Sequence, residues 1–178
     1  MKKGSLPQTI ETRALAARQV TLAGRLDAAK LPRLAAAVRG LDAPADVVAE
    51  FKRNEEGRYV VDLAVTMDVQ IACERCLEAM PLTVTSGTRL GIVWTDEQAQ
   101  ALASGVEPLL TGDETDLWQV VEDELLLALP PFSYHSAVNC AEQTGRVMPP
   151  EIELPAIEVE DSGNNPFSVL VGLKDPSD

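Results

Sequence analysis

Tyr59-Val60-Val61-Asp62-Leu63-Ala64-Val65-Thr66-Met67-Asp68-Val69-Gln70-Ile71 is the stretch on which the fold turns. Tyr59, Val61, Leu63, Val65, Met67, Val69 and Ile71 fall at every second position, while Asp62, Thr66, Asp68 and Gln70 occupy the positions between. A period of two puts successive side chains on opposite faces of a strand, so the run reads as a long antiparallel strand with one dry and one wet side. Upstream, Val47, Ala49 and Phe51 repeat the alternation within residues 45 to 53. Asn54-Glu55-Glu56-Gly57 then reads as a hairpin loop in which Gly57 takes a positive φ. Downstream, Leu82, Val84, Thr88, Leu90, Ile92 and Trp94 resume the pattern, with Ser86-Gly87 expected to form a bulge. The result is a three-stranded meander with Cys73 to Cys76 at one hairpin tip.

Helical spacing appears on either side of the meander. Leu31, Leu34, Ala35 and Val38 mark a helix that begins near Pro32 and is expected to end at Gly40. Leu117, Val120, Val121, Leu125 and Ala128 form an apolar stripe from about Thr115 to Leu129, and Asp113, Glu114 and Asp116 favour its N-terminal end through the backbone dipole. This second helix is expected to cover the dry face of the sheet. Beyond Pro130, the prolines 131, 149, 150 and 155 with scattered glutamates read as an extended linker. It leads to Asn165-Pro166-Phe167, where a short helix carrying Phe167, Leu170 and Val171 is expected. The fold class is therefore α+β, an antiparallel β-meander covered by helices with an extended C-terminal tail. Residues 1–130 are expected to form the single domain, and 131–178 the Pro/acid-rich linker and C-terminal helical anchor.

A chain of 178 residues that is 46% apolar has enough material for one core and too little for two. Apolar runs such as residues 125–131 are far shorter than the roughly 20 residues of a membrane-spanning helix. Gln8, Glu11, Arg13 and Arg18 stand where a signal peptide has its apolar core, so a cytoplasmic location is expected. The net charge of −13 is unevenly distributed. Residues 1–95 carry 13 Lys/Arg against 11 Asp/Glu, whereas residues 96–161 carry Arg146 alone against 15 Asp/Glu. Such a segment repels phosphate backbones and suits basic proteins. Solubility alone is the plainer account of the same acidity.

Three cysteines and one histidine are the whole stock of soft metal ligands. Cys73 and Cys76 form a C-x-x-C pair, and His135 and Cys140 follow about 60 residues later. Zinc takes four thiolate or imidazole ligands in a tetrahedron, and a two-residue gap lets one knuckle supply two of them. The four residues are the candidate ligands of one structural zinc; three reduced thiols and no metal is the other reading. A redox pair requires a lowered thiolate pKa, typically at a helix N-terminus, and here strands flank the pair on both sides. No dinucleotide fingerprint, P-loop or nucleophile elbow is present. Ser133 and Ser136 beside His135 lie too close in a Pro-bounded loop to hold a nucleophile–base geometry. No enzymatic activity and no small-molecule substrate are expected. Glu122, Asp123 and Glu124 cluster on the covering helix and, unable to share one face, are read as mostly solvated.

Cys73-Glu74-Arg75-Cys76-Leu77, the run 121–130 (Val-Glu-Asp-Glu-Leu-Leu-Leu-Ala-Leu-Pro), His135 with Cys140, and Asn165-Pro166-Phe167-Ser168-Val169-Leu170 occur in an order and at intervals that resemble the YceD family of bacterial and plastid proteins. The resemblance implies a role in accumulation and processing of large-subunit (23S) ribosomal RNA, and it carries over no catalytic residue. The chain lacks a basic stripe with interleaved aromatics, which favours an indirect role in ribosome biogenesis through a basic ribosomal or RNA-processing protein. Glu122, Asp123, Glu124, Glu151, Phe167 and Leu170 are the candidate partner contacts. Direct RNA binding through the mildly basic N-terminal half, with Arg53, Arg75 and Arg89, is the alternative. A hydrolase or redox enzyme without a recognised motif is a third class, marked by turnover lost in Cys76→Ala or His135→Ala.

Overall fold

A computed structural model describes residues 4–137, 139–143 and 145. The expected linker with Glu151 and the anchor with Phe167 and Leu170 lie outside the described residues. In chain order the elements are β1 (Gly4–Ser5), β2 (Thr9–Ile10), α1 (Thr12–Ala17), β3 (Thr21–Leu26), α2 (Pro32–Ala37), β4 (Gly40–Leu41), β5 (Ala45–Arg53), β6 (Tyr59–Ala72), β7 (Ala79–Val93), α3 (Asp96–Gln100), β8 (Glu107–Leu110), β9 (Thr115–Asp116), α4 (Leu117–Leu127) and α5 (Cys140–Gln143).

The long alternating run forms β6, the centre of a sheet ordered β1-β3-β5-β6-β7-β8, with β4 also pairing along β6. The meander β5-β6-β7 is antiparallel, as is β3 on β5, while the edge strands β1 and β8 pair in parallel. Mixed pairing with few helices makes the architecture α+β. Gly57 takes φ +75° in the β5–β6 hairpin, and the Asn54 side chain accepts the Arg58 N–H to close the turn. Val47, Ala49 and Phe51 of β5 and Val61, Leu63, Val65, Met67 and Val69 of β6 are all buried on the inner face.

Helix α4 packs on β6 and β7 through Leu117, Val121 and Leu125, all buried. It is shorter than the stripe suggested. Thr115 and Asp116 stay extended as β9, which pairs with β2, and the Asp116 carboxylate caps the helix by accepting the Gln119 N–H at 3.1 Å. Helix α1 packs on β5 and β6, and α2 packs on α4.

Two local expectations are corrected. Gly40 does not end a helix: α2 stops at Ala37, Val38 turns extended, and Gly40 pairs with Gln70 as β4. The β6–β7 register runs without interruption from Val60↔Gly91 to Ala72↔Ala79, so Ser86-Gly87 is not a bulge. Ser86 and Thr88 keep their inner-face positions because both hydroxyls donate to the Glu124 carboxylate, at 2.9 and 2.6 Å. A break in the apolar stripe thus marks a polar contact with α4. Among the described residues no helix is long and apolar enough to cross a membrane.

Candidate metal centre

Strand β6 ends at Ala72 and β7 begins at Ala79, leaving Cys73 to Glu78 to turn the chain. The turn closes on itself: the Leu77 N–H donates to the Cys73 carbonyl at 2.8 Å and the Cys73 N–H to the Glu78 carbonyl at 2.9 Å. Leu77 takes φ +62°, a conformation that costs a residue with a Cβ about 1 kcal/mol and is adopted here to complete the turn. The segment after α4 is tied to this turn. The Glu74 N–H donates to the Ser133 carbonyl at 2.9 Å, and the Arg75 guanidinium donates to the Ala137 carbonyl at 3.0 Å and stacks 5.1 Å from the centre of the Tyr134 ring.

These ties bring Cys73, Cys76, His135 and Cys140 together, with their ligand atoms all within 4.8 Å of one another. The Cys73 and Cys140 sulfurs lie 3.9 Å apart, and Cys76 Sγ lies 3.3 Å from His135 Nδ1. A tetrahedral zinc with Zn–S bonds of about 2.3 Å and Zn–N bonds of about 2.0 Å would set its ligand atoms about 3.5 to 3.8 Å apart. The two close pairs bracket those edges. The three cysteines are buried, form no disulfide, and make a small core of their own with Met80 and Ala141.

Burial alone would raise the Cys73 thiol. Backbone N–H groups of Cys76, His135 and Arg75 aimed at its sulfur, together with the Cys76 side chain, outweigh that and lower it to about 5. The Cys76 thiol is pushed up, first by burial and then by its sulfur neighbours, against a lowering N–H contact from Glu78. Arg75 Nη1 also donates to Cys140 Sγ at 3.6 Å. Main-chain donors and a guanidinium around clustered sulfurs are the outer contacts that stabilise thiolate ligands. The donor set, its spacing and its surroundings fit a closed structural zinc site. The lowered Cys73 thiol owes nothing to a helix N-terminus, because Cys73 to Glu78 is a strand-to-strand turn.

Other residues singled out from sequence are placed differently from expectation. Glu122 and Glu124 are not solvated: they are 4% and 6% exposed. Glu122 Oε1 accepts the Arg33 and Leu34 N–H groups at 2.7 and 3.1 Å, and Oε2 accepts Arg33 Nε at 2.8 Å. It thereby caps α2 from across the fold. Asp123 is half-exposed and pairs with the same Arg33 at 2.7 Å. Arg89 forms a bidentate pair with Asp62, and Arg75 borders the cysteine–histidine cluster.

Arg53 leads to a cluster that no single stretch of sequence displays. Its guanidinium lies 4.7 Å from the Tyr59 ring centre, and Arg13 of α1 lies 6.0 Å from that ring and 5.3 Å from Trp94. A cavity of about 310 Å³ opens beside the two aromatics, lined by Arg58, Tyr59, Ile92, Trp94, Gln98 and Leu102 among others. Leu102, one of its walls, packs close against β7 at Gly91, where a methyl would stand 2.8 Å from Leu102 Cδ2.

A family model described as large ribosomal RNA subunit accumulation protein YceD matches residues 61–174. A Haemophilus influenzae protein, the large ribosomal RNA subunit accumulation protein YceD, is 33% identical over 180 residues, covering 98% of this chain and 99% of that relative. No solved structure matches the chain.

Proposed function

This chain belongs to the YceD family, and we propose that it supports the accumulation of large-subunit ribosomal RNA as a cytoplasmic, non-catalytic biogenesis factor built around one structural zinc. The observation that carries the reading is near-full-length similarity to a relative named for that role. The same relative does not name a mechanism, so the mechanism rests on this chain's own residues.

The zinc is assigned to Cys73, Cys76, His135 and Cys140, whose ligand atoms cluster within 4.8 Å. Bound there, it would supply a crosslink between the β6–β7 turn and the segment after α4, with no open coordination position for chemistry. The backbone N–H groups around Cys73 would hold its sulfur as the thiolate at neutral pH, and Arg75 donates to Cys140 Sγ.

Partner recognition is assigned to the acidic segment. Glu122 and Glu124 are buried and drop out as contacts, but Asp96, Glu97, Glu107, Asp113 and Glu114 are exposed. Their charge suits a basic ribosomal or RNA-processing protein and accelerates its encounter. Depleting the protein from its own cells and quantifying large- against small-subunit ribosomal RNA tests the role. The ratio falls if the reading is right; an unchanged ratio on full depletion overturns it.

A further inference from the structure

We propose that the Arg53–Tyr59–Trp94 end of the sheet is a contact site for single-stranded RNA, with one base held in the cavity beside Trp94 and the adjoining phosphates on Arg53 and Arg58. The inference rests on the reading that the protein acts on ribosomal RNA, and it gives that reading a point of direct contact.

The β5–β6 hairpin and the end of β7 converge there. Arg53 closes β5, Arg58 ends the hairpin loop, Tyr59 opens β6 and Trp94 follows β7, so the hairpin geometry puts all four at one end of the meander. Trp94 is 38% exposed, unusual for the largest apolar side chain. Arg53 makes no ion pair among the described residues; its guanidinium is held over Tyr59 and donates to the Tyr59 hydroxyl. Arg58 reaches along the cavity rim, donating to the Ala101 carbonyl at 2.7 Å and, among the described residues, pairing only with the exposed Glu56 at 3.4 Å. Arg13 is the positioning residue: stacked between Tyr59 and Trp94, it fixes both rings.

The cavity suits a base in both size and lining. Its 310 Å³ exceeds the volume of a single nucleobase, and its apolar side is Ile92 and Leu102. Aromatic faces bind any base by stacking, and guanidinium groups beside them bind the linking phosphates. Charge fixes where the strand can run. Glu11, Asp113 and Glu114 line a separate cavity with Arg13 on the other side of Tyr59 and Trp94, and they repel phosphate. Glu55 and Glu56 between Arg53 and Arg58, and Asp96 and Glu97 just after Trp94, are exposed as well, so phosphate contact is confined to the Arg53 and Arg58 guanidinium groups and the strand ends its contact at Trp94. A site of this size takes few nucleotides and no duplex, because a paired base cannot leave its stack without cost.

The test is fluorescence anisotropy of the full chain with labelled eight-nucleotide oligo(U) and oligo(A) RNA, against a hairpin duplex of the same length. Single strands bind and the duplex does not. Trp94→Ala weakens binding by about 5-fold to 100-fold, whereas Trp94→Phe retains most of it. Arg53→Gln with Arg58→Gln weakens it and flattens its salt dependence, while Arg89→Gln, already engaged by Asp62, leaves it unchanged. Thermal melting of each variant separates misfolding from lost contact, and the Phe and Gln variants decide where an Ala variant is unstable. Absence of single-strand binding, equal binding of the duplex, or binding indifferent to Trp94→Ala and the Arg53/Arg58 pair each overturns the site. Depleted cells separate the two levels. Full rescue of the ribosomal RNA ratio by the Trp94→Ala, Arg53→Gln, Arg58→Gln chain removes this site and leaves the biogenesis role standing, whereas no change on depletion removes the role itself.

Discussion

Glu122 shows how much one buried carboxylate can organise. It satisfies two backbone N–H groups at the start of α2 and the Arg33 side chain, tying two helices that are 80 or more residues apart in sequence. Glu122→Ala would leave those donors unpaired inside the fold and is expected to cost about 2 to 4 kcal/mol in denaturant unfolding. Asp123→Ala removes only the half-exposed arm of the same arginine and should cost less than about 1 kcal/mol. Asp62 gives a pH-dependent counterpart. The Arg89 hydrogen bond, helped by a weaker one from Lys52 and against burial, which raises it, holds its carboxyl at about 2, below the ordinary 3.8. A depressed carboxylate contributes stability in full above its unfolded value and loses it as pH falls through the folded one. The stability gap between the wild type and Asp62→Asn should therefore be about 1 kcal/mol near neutrality, after allowance for solvent exposure, and should close between pH 3.8 and about 2. Acid titration of both proteins followed by circular dichroism checks it.

At the level of elements, the sequence was most legible where periodicity was long. Strand β6 carries seven inward positions without a break, enough to fix its two neighbours as well. The stripe of α4 was equally plain, and Leu125→Ala at that buried position should cost about 2 to 4 kcal/mol in thermal or chemical unfolding. Short elements were illegible: β1, β2, β4 and β9 span two residues each, too few for any period to register. The false bulge at Ser86-Gly87 has a specific cause, because a polar pair on the inner face looks like a register shift until Glu124 is seen to reach it from α4. Glu124 and Glu122 were misplaced for the same reason. A carboxylate is assigned to solvent unless its distant hydroxyl or backbone partners are known.

Across the whole molecule, the cluster of three cysteines and one histidine was visible in the sequence and the basic–aromatic cluster was not. C-x-x-C sits in one turn and announces itself, and the histidine and last cysteine were the only remaining candidates. Arg13, the Arg53–Tyr59 hairpin and Trp94 come from three places, so the sequence offers Arg53 as a basic residue but not the aromatic rings and Arg13 that gather around it. Acidic docking answers to salt and to reversal of the acidic residues, whereas RNA contact answers to salt and to loss of Arg53 and Arg58. Screening lengths shorten from about 10 Å at 0.1 M to about 3 Å at 1 M, so association with a basic protein partner should slow steeply over that range. Reversing Asp96, Glu97 and Asp113 to Lys should lower the on-rate, read by stopped-flow mixing, and leave the melting temperature unchanged.

Native mass spectrometry of protein purified without chelator, in zinc-replete medium, tests the Cys73–Cys76–His135–Cys140 assignment most directly. The account predicts one zinc per chain, lost in Cys73→Ser and in Cys140→Ser, with faster proteolysis after Pro130 in the metal-free forms and little change in the sheet. A wild-type chain that carries no zinc under those conditions, or one whose zinc survives both substitutions, would contradict it.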